Sequence, residues 1–265
     1  PGSTLEKLRA GLREKGLDEK AIRHVFVTHI HLDHAGAAGW WAQQGAQVFC
    51  HKQAARHLID PSRLVESARM VYRERMDSLW GDVLPAPAER VTILADGASV
   101  TVGEIDITAW DTSGHARHHH AFVIGQTCFT GDVAGMRLPG TDYLSATAAP
   151  PQFDPVSYGD SVDRLAAAGF EKLYLTHFGE VTQVAEHLAN YRQRIQSVHE
   201  AVLQDHQSGL SDEAIRQRYH DREKALAFAQ GISASDWDRF EMSNATSMCA
   251  DGVLLAIQRA SHVPA

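Results

Sequence analysis

The sequence predicts an α/β domain with a helical extension at its carboxyl end. Short segments rich in β-branched residues alternate with segments of helical periodicity through the first two thirds of the chain, a pattern typical of helices packed on sheets. From Thr182 onward only the helical periodicity continues. A chain of 265 residues, 44% of them hydrophobic, is long enough for a core domain and an appendage. We therefore expect two domains, over residues 1–181 and 182–265.

The first part of the chain shows clear helix and strand signals. Leu5, Leu8 and Leu12 recur on one helical face, and Gly16 is placed to end that helix. The predicted elements are a helix over Thr4–Lys15, a strand over Ile22–Thr28, a helix over Ala35–Gln44, a strand over Ala46–His51 and an inserted helical segment over Pro61–Trp80.

Strands then follow in quick succession until a proline-rich loop. They are predicted over Val91–Leu94, Ser99–Val102, Ile105–Trp110, Ala121–Ile124 and Thr127–Thr130. After the loop Pro139–Pro155, we expect a helix over Ser157–Ala168 and a strand over Lys172–Thr176.

The extension begins with a long amphipathic helix, and two further helical stretches are predicted through about Ala260. Its apolar stripe consists of Leu188, Tyr191, Ile195, Val198 and Val202. This stripe must be buried against its own domain or against a partner chain, and we favour a homodimer through the C-terminal helices.

Charge and composition exclude several classes of protein. The net charge of -8 argues against nucleic acid as a partner, because no basic excess is present to displace counterions. No apolar run is long enough to span a membrane, and the N-terminus does not resemble a signal peptide. Cys50, Cys128 and Cys249 are too far apart for a cysteine zinc site and odd in number, so we expect a soluble protein in the reducing cytoplasm.

The 16 histidines fall in clusters, and the first cluster predicts a metal centre. His29 and His31 follow a predicted strand two residues apart, so that both imidazoles point the same way. Asp33 and His34 then turn with the chain toward a neighbouring point. A lone surface histidine is usually solvated, but four ligand-type residues within six favour two metal ions.

Three further residues complete the candidate ligand set. His115, Asp132 and His177 each follow a predicted strand, at the end where loops gather the functional groups of an α/β framework. Taken singly each is weak, because a Gly-Asp pair is more often a turn and a histidine after a strand more often a cap.

The ordered motifs H-x-H-x-D-H, S-G-H, G-D and T-H-F-G closely resemble the metallo-β-lactamase superfamily of hydrolases, over roughly residues 22–180. The resemblance implies an αββα sandwich with two divalent transition-metal ions at one sheet edge. These would be zinc, with iron or manganese as alternatives. It also implies that several strands of the family, which precede the helix equivalent to Thr4–Lys15, are absent ahead of Pro1.

The resemblance also implies a ligand assignment. His29, His31 and His115 would bind the first metal, and Asp33, His34 and His177 the second. Asp132 would bridge both. The expected reaction is the cleavage of an ester-like bond, in a lactone or a thioester of a small molecule, by a metal-bridged hydroxide.

Other residues are assigned supporting roles. Asp33 is expected to shuttle protons, and His119, four residues after His115, to orient a ligand. His118 and His120 are expected to be structural. Tyr143 is a candidate donor to the oxyanion, as in some lactonase relatives, with a packing role as the alternative.

The inserted segment Pro61–Trp80 is expected to form a wall of the substrate pocket over the metal edge. Tyr72, Met76 and Trp80 are the candidate lining residues, although an aromatic stripe at this spacing is more often core. Arg137 is a weak candidate for contact with a substrate anion.

The same motifs are compatible with other activities of this superfamily. A single-iron persulfide dioxygenase is the principal alternative, and metal analysis with oxygen uptake would distinguish it. Antibiotic hydrolysis is disfavoured, because β-lactamases of the family usually lack the full Asp-His pair. The acidic charge disfavours a nuclease, and an intact ligand set disfavours a non-catalytic binding module.

Overall fold

The computed structural model describes residues 1–261, which fall into two compact units, Pro1–Asp111 and the chain from Thr112 onward. The expected α/β architecture with a C-terminal helical region is confirmed. The predicted domain boundary between residues 181 and 182 stays a prediction, and residues 262–265 of that predicted extension lie outside the described residues.

The first unit contains helices, a small parallel sheet and a pair of antiparallel strands. The strands β1, β2 and β3 pair in that order, all parallel, and β4 pairs with β5 antiparallel. The elements are α1 (Leu5–Glu14), β1 (His24–Phe26), α2 (Leu32–Ala35), α3 (Ala38–Gln43), β2 (Gln47–His51), α4 (Lys52–Ile59), α5 (Ser62–Tyr72), α6 (Met76–Trp80), β3 (Val91–Leu94), β4 (Ser99–Val102) and β5 (Ile105–Asp111).

The second unit combines four strands with five helices among the described residues. Strand β6 pairs antiparallel with β7, β7 pairs parallel with β8, and β8 pairs antiparallel with β9. The elements are β6 (His120–Ile124), β7 (Thr127–Gly131), α7 (Pro155–Ala167), β8 (Lys172–Leu175), β9 (Gly179–Val181), α8 (Val184–Gln207), α9 (Asp212–Ala229), α10 (Ala234–Ser243) and α11 (Thr246–Ser261).

Local chemistry explains where the helices of the second unit begin. The Asp154 carboxylate accepts hydrogen bonds from the main-chain N–H groups of Val156 and Ser157, and Pro155 occupies the first turn of α7. Ser211 and Ser233 cap α9 and α10 in the same way. These caps satisfy donors that the first turn of a helix leaves without an intrahelical partner.

The apolar stripe of α8 is buried within its own unit. Leu188, Tyr191, Ile195 and Val198 are at most 3% exposed, and α8 packs against α7 and α11. The stripe that motivated the predicted homodimer is therefore covered by the same chain. The homodimer itself stays a prediction.

Several element bounds differ from those predicted. The first strand is only His24–Phe26, and the predicted helix Ala35–Gln44 is divided between α2 and α3. Pro61–Trp80 is helical as expected, but Arg73, with φ 48°, separates α5 from α6. Such a backbone conformation is rare for a residue with a side chain and ends a helix.

Other elements were not predicted at all. Helix α4 and strand β9 are additional, and three helices follow α8 where two stretches were predicted. Among the described residues, none of the helices has both the length and the apolar character required to cross a bilayer.

Candidate metal centre

In the first unit, the four predicted ligands converge where β1 gives way to α2. The Nε2 atom of His29 approaches the Nδ1 atom of His31 to 3.0 Å, and the ring of His34 lies 4.0 Å from that of His29. The Asp33 carboxylate lies 3.1 Å from Nε2 of His34. Because α2 begins at Leu32, its first turn directs Asp33 and His34 back toward the two preceding histidines.

His29 is fully buried, and its orientation has a local cause. Its Nδ1 atom lies 3.1 Å from the hydroxyl of Thr28, which leaves Nε2 to face His31. Contacts of this kind from neighbouring groups orient the imidazoles of metal sites and set their tautomers.

The inserted helices lie beside this group of ligands. Burial raises the pKa of Tyr72, and the nearby carboxylate of Asp33 raises it further. The ring of Tyr72 lies 5.1 Å from that of Trp80. The indole N–H of Trp80 is buried without an acceptor among the described residues. Tyr72 is thus close enough to Asp33 to be affected by its charge.

In the second unit, the carboxylate of Asp132 lies between two histidines. Its Oδ2 atom is 3.3 Å from Nε2 of His115, and its Oδ1 atom is 3.5 Å from Nε2 of His177. Asp132 follows β7 and His177 follows β8, and these strands are parallel. Their carboxyl ends therefore meet at one edge, which brings the two residues together.

The hydrogen bonds of His115 fit a metal site. Its Nδ1 atom lies 2.7 Å from the carbonyl oxygen of Thr147. A carbonyl only accepts, so Nδ1 carries the proton and, in the neutral ring, Nε2 presents a lone pair to the Asp132 carboxylate. Two acceptors facing each other at 3.3 Å suit a shared cation. A carboxylate whose two oxygens face different imidazoles is suited to bridge two metal ions.

His119 holds the main chain of Asp132. The N–H of Asp132 donates to Nε2 of His119 at 3.1 Å, so Nδ1 of the neutral ring is protonated and donates to the Thr112 hydroxyl at 2.8 Å. This contact supports the predicted orienting role of His119. His118 and His120 are both buried, in keeping with structural roles.

Tyr143 is placed in an apolar core. It is 1% exposed, and its hydroxyl donates to Glu223 at 2.7 Å. Its ring packs with Trp237 and Phe240, and burial raises its pKa. With its proton already donated to Glu223, the geometry favours the packing role over the predicted oxyanion contact.

Met76 and Arg137 both have structural contacts. Met76 is 1% exposed and so belongs to the core of the inserted helices. The main-chain N–H of Arg137 donates to the carbonyl of His177 at 2.8 Å, and its guanidinium lies 3.4 Å from the carbonyl of Glu180. Arg137 therefore supports the segment that carries His177.

Thr147 and Tyr158, which sequence reasoning missed, support the carbonyl of Asp132, and Gly114 of the S-G-H motif lies against Tyr158. The hydroxyls of Thr147 and Tyr158 lie 2.8 and 2.6 Å from that carbonyl oxygen. Gly114 has φ 127°, and a Cβ there would meet Cα of Tyr158 at 2.2 Å. Thr147 lies in a proline-rich loop and Tyr158 in a helix, where neither carries a sequence signal for a ligand neighbour.

The predicted ligands therefore lie close together within each unit. His29, His31, Asp33 and His34 lie together in the first, and His115, Asp132 and His177 in the second. All seven are candidates for holding a metal ion.

Comparison with known proteins places the same residues in a family context. The family model of the metallo-beta-lactamase superfamily matches residues 1–177. A curated relative, the metallo-beta-lactamase fold-containing protein ST1585 of Sulfurisphaera tokodaii, is 25% identical over 173 residues, which are 63% of this chain and 65% of the relative. The chain thus spans somewhat less than two thirds of that relative.

Solved structures share the fold. The crystal structure of the archaeal ST1585 has a TM-score of 0.58 at 23% identity, over 65% of this chain and 67% of the other. The metallo-beta-lactamase family protein TTHA1429 of Thermus thermophilus has a TM-score of 0.66 at 21% identity, over 97% and 81%. A peroxy diiron structure of the chemotaxis sensor ODP has a TM-score of 0.51 at 10% identity, over 72% and 77%.

Proposed function

This chain belongs to the metallo-beta-lactamase superfamily, and from that membership we propose that it is a metal-dependent hydrolase of an ester-like bond, in a lactone or a thioester of a small molecule. The predicted fold class, the αββα sandwich of this family with a C-terminal helical region, is confirmed. The observation that carries the proposal is the Asp132 carboxylate, which presents one oxygen to His115 and the other to His177.

We assign the ligands in two groups joined by Asp132. His29, His31 and His115 would hold one ion, and Asp33, His34 and His177 the other. Imidazole and carboxylate ligands of this kind suit zinc, with iron or manganese as alternatives. The support is the convergence of the ligand side chains within each unit.

Two divalent ions would polarise a carbonyl and lower the pKa of a water molecule to about 7. The chain's own residues place and serve that chemistry. Asp132 is buried and holds its orientation through His119. Asp33 has a side chain 35% exposed, so that its carboxylate reaches solvent and is suited to carry protons away.

The chain offers no competing nucleophile of the cysteine type. Cys50, Cys128 and Cys249 are buried, and burial raises the pKa of each thiol to about 12. Thiolates are therefore scarce at neutral pH. Water is the proposed attacking group, without a covalent acyl-enzyme.

We propose the class of substrate from the net charge, and the cellular compartment from the three thiols. An acidic chain with net charge -8 suits a small-molecule substrate better than a nucleic acid. Three buried free thiols suit the reducing cytoplasm.

The proposal is tested by elemental analysis of the purified protein followed by a substrate screen. We expect about two transition-metal ions per chain, and hydrolysis of lactones or thioesters but not of phosphodiesters. Hydrolysis in oxygen-labelled water should place one labelled oxygen in the acid product within a single turnover.

Two outcomes would overturn it. One is a burst of leaving group with the acyl chain retained on the protein. The other is a single iron per chain with oxygen uptake on a persulfide, which would assign the chain to the dioxygenase chemistry instead.

A further inference from the structure

Thr147 connects two of the candidate ligands. Its carbonyl oxygen accepts the proton of His115 Nδ1 at 2.7 Å. Its hydroxyl lies 2.8 Å from the carbonyl oxygen of Asp132. A displacement of this one residue would therefore move the supports of both His115 and Asp132.

The hydroxyl of Tyr191, on helix α8, also contacts Thr147. Its hydroxyl oxygen accepts the main-chain N–H of Thr147 at 3.3 Å. It also lies 2.9 Å from the hydroxyl of Tyr158 and 3.2 Å from that of Thr147. Since Tyr158 donates its proton to the main-chain carbonyl oxygen of Asp132 at 2.6 Å, the proton of Tyr191 is available to the Tyr158 or the Thr147 oxygen.

The cluster of Thr147, Tyr158 and Tyr191 is closed to solvent. All three residues are at most 3% exposed. Burial raises the pKa of Tyr191 to about 12 and also raises that of Tyr158, so both phenols remain donors at neutral pH. Hydrogen bonds in such a setting are costly to break, because no water replaces the lost partner.

Helix α8 also contacts the chain just beyond Asp132. His187 Nε2 donates to the carbonyl of Ala134 at 2.9 Å. Gly135 has φ 80°, and a Cβ there would meet the ring of Tyr191 at 2.2 Å. The backbone after the ligand thus lies directly on the Tyr191 ring, so α8 holds this segment through two side chains.

We propose that Tyr191 is a positioning residue of the metal centre, which acts through Thr147 and Tyr158 to fix Asp132 and His115. This rests on the metal-binding function proposed above. Helix α8 then helps to fix the positions of the candidate ligands, in addition to packing on the domain. The three polar contacts of the Tyr191 hydroxyl all end on Thr147 and Tyr158, and the hydroxyls of those two residues contact the carbonyl oxygen of Asp132.

The test is metal affinity, measured on the whole protein with Zn²⁺ by competition against a chromophoric chelator. Tyr191→Phe keeps the ring and removes only the hydroxyl. Loss of such outer contacts typically weakens metal binding by about 10- to 100-fold, and we expect the lower end of that range. The visible spectrum of the Co²⁺-loaded variant should also change, because the ligands are no longer held in the same geometry.

Tyr219→Phe is the matched control, since it removes a phenol that is equally buried in the same unit, on α9. It should leave both the Zn²⁺ affinity and the Co²⁺ spectrum at wild-type values. A second pair, Thr147→Val and Thr147→Ser, covers the case in which Tyr191→Phe does not fold. The valine variant should lose affinity and the serine variant should recover most of it.

The outcomes separate the two proposals. If the wild-type protein binds no transition metal, the proposed function fails and this inference fails with it. If the wild type binds metal and Tyr191→Phe matches Tyr219→Phe in affinity and spectrum, only the positioning role is wrong. Equal affinities for Thr147→Val and Thr147→Ser would also overturn it.

Discussion

The main-chain N–H of Asp132 donates a hydrogen bond of 3.1 Å to the Nε2 atom of His119. His119→Ala would leave this buried donor without its acceptor, at a cost of about 1–3 kcal/mol. We therefore expect a lower melting temperature and weaker Zn²⁺ binding, measured by thermal denaturation and chelator competition. His57→Ala, a substitution on α4 in the first unit, should change neither. Wild-type metal affinity in His119→Ala would contradict the orienting role.

Asp132→Asn tests the proposed bridging role of the Asp132 carboxylate. The amide keeps the shape of the side chain but loses the charge and offers only one oxygen to two imidazoles, so at least one ion should be lost or loosened. Metal content by elemental analysis after gel filtration is the measurement. Asp163→Asn, which changes an exposed carboxylate paired with Arg192, should keep the full content. Full metal content and activity in Asp132→Asn would show that the assignment is wrong.

Trp80→Phe removes the buried indole N–H but keeps an aromatic ring against Tyr72. If substrate supplies the missing acceptor, the variant should raise KM by about two- to ten-fold, the value of one neutral hydrogen bond. Metal content should not change. Trp40→Phe, on α3 of the same unit, is the control. A loss of metal with an unchanged KM would place Trp80 in ligand support instead of the pocket wall.

The stability of the protein should depend on pH through His187. Burial lowers the pKa of His187 below its ordinary value of 6.5, and nearby Arg137 lowers it further. The unfolded chain therefore binds a proton on His187 more readily than the folded chain does. The stability that neutral His187 contributes is complete above about pH 6.5 and is lost as the pH falls below that value.

His187→Gln isolates the pH-dependent contribution of His187 to stability, because glutamine keeps a donor for the Ala134 carbonyl and does not titrate. Urea denaturation of the chelator-treated proteins should show the wild type losing stability relative to the variant below pH 6.5, by at most about 1.4 kcal/mol per pH unit. Parallel curves from pH 7 to 5 would rule out the contribution of His187.

The sequence predicted the candidate ligands better than it predicted their surroundings. His29, His31, Asp33 and His34 form a local chemical pattern, and the first turn of α2 is enough to bring them together. Thr147 supports His115 only through contacts between distant parts of the chain, and no short-range pattern encodes such a contact. Tyr191 was read only as part of an apolar stripe, which describes its ring but not its hydroxyl.

The helix bounds show a similar limit. Periodicity predicted helical structure over Pro61–Trp80 but not the interruption, because Arg73 adopts φ 48° in a segment with no glycine or proline at that point. Tyr143 was assigned by likeness to lactonase relatives. A packing role was the alternative. The partner of the Tyr143 hydroxyl, Glu223, belongs to a helix far along the chain, so the hydrogen bond that supports the packing role could not be predicted from the local sequence.

The spacing of the ligands along the chain has a consequence for folding. His29 to His34 need only a short loop to meet, and closing a short loop costs little entropy. Asp132 and His115 reach their final geometry only after Thr147 and Tyr191 have docked, and Tyr191 is synthesised long after His115. The chain therefore acquires the two groups of candidate ligands at different times, and the group that contains Asp132 is completed only when α8 has emerged and packed.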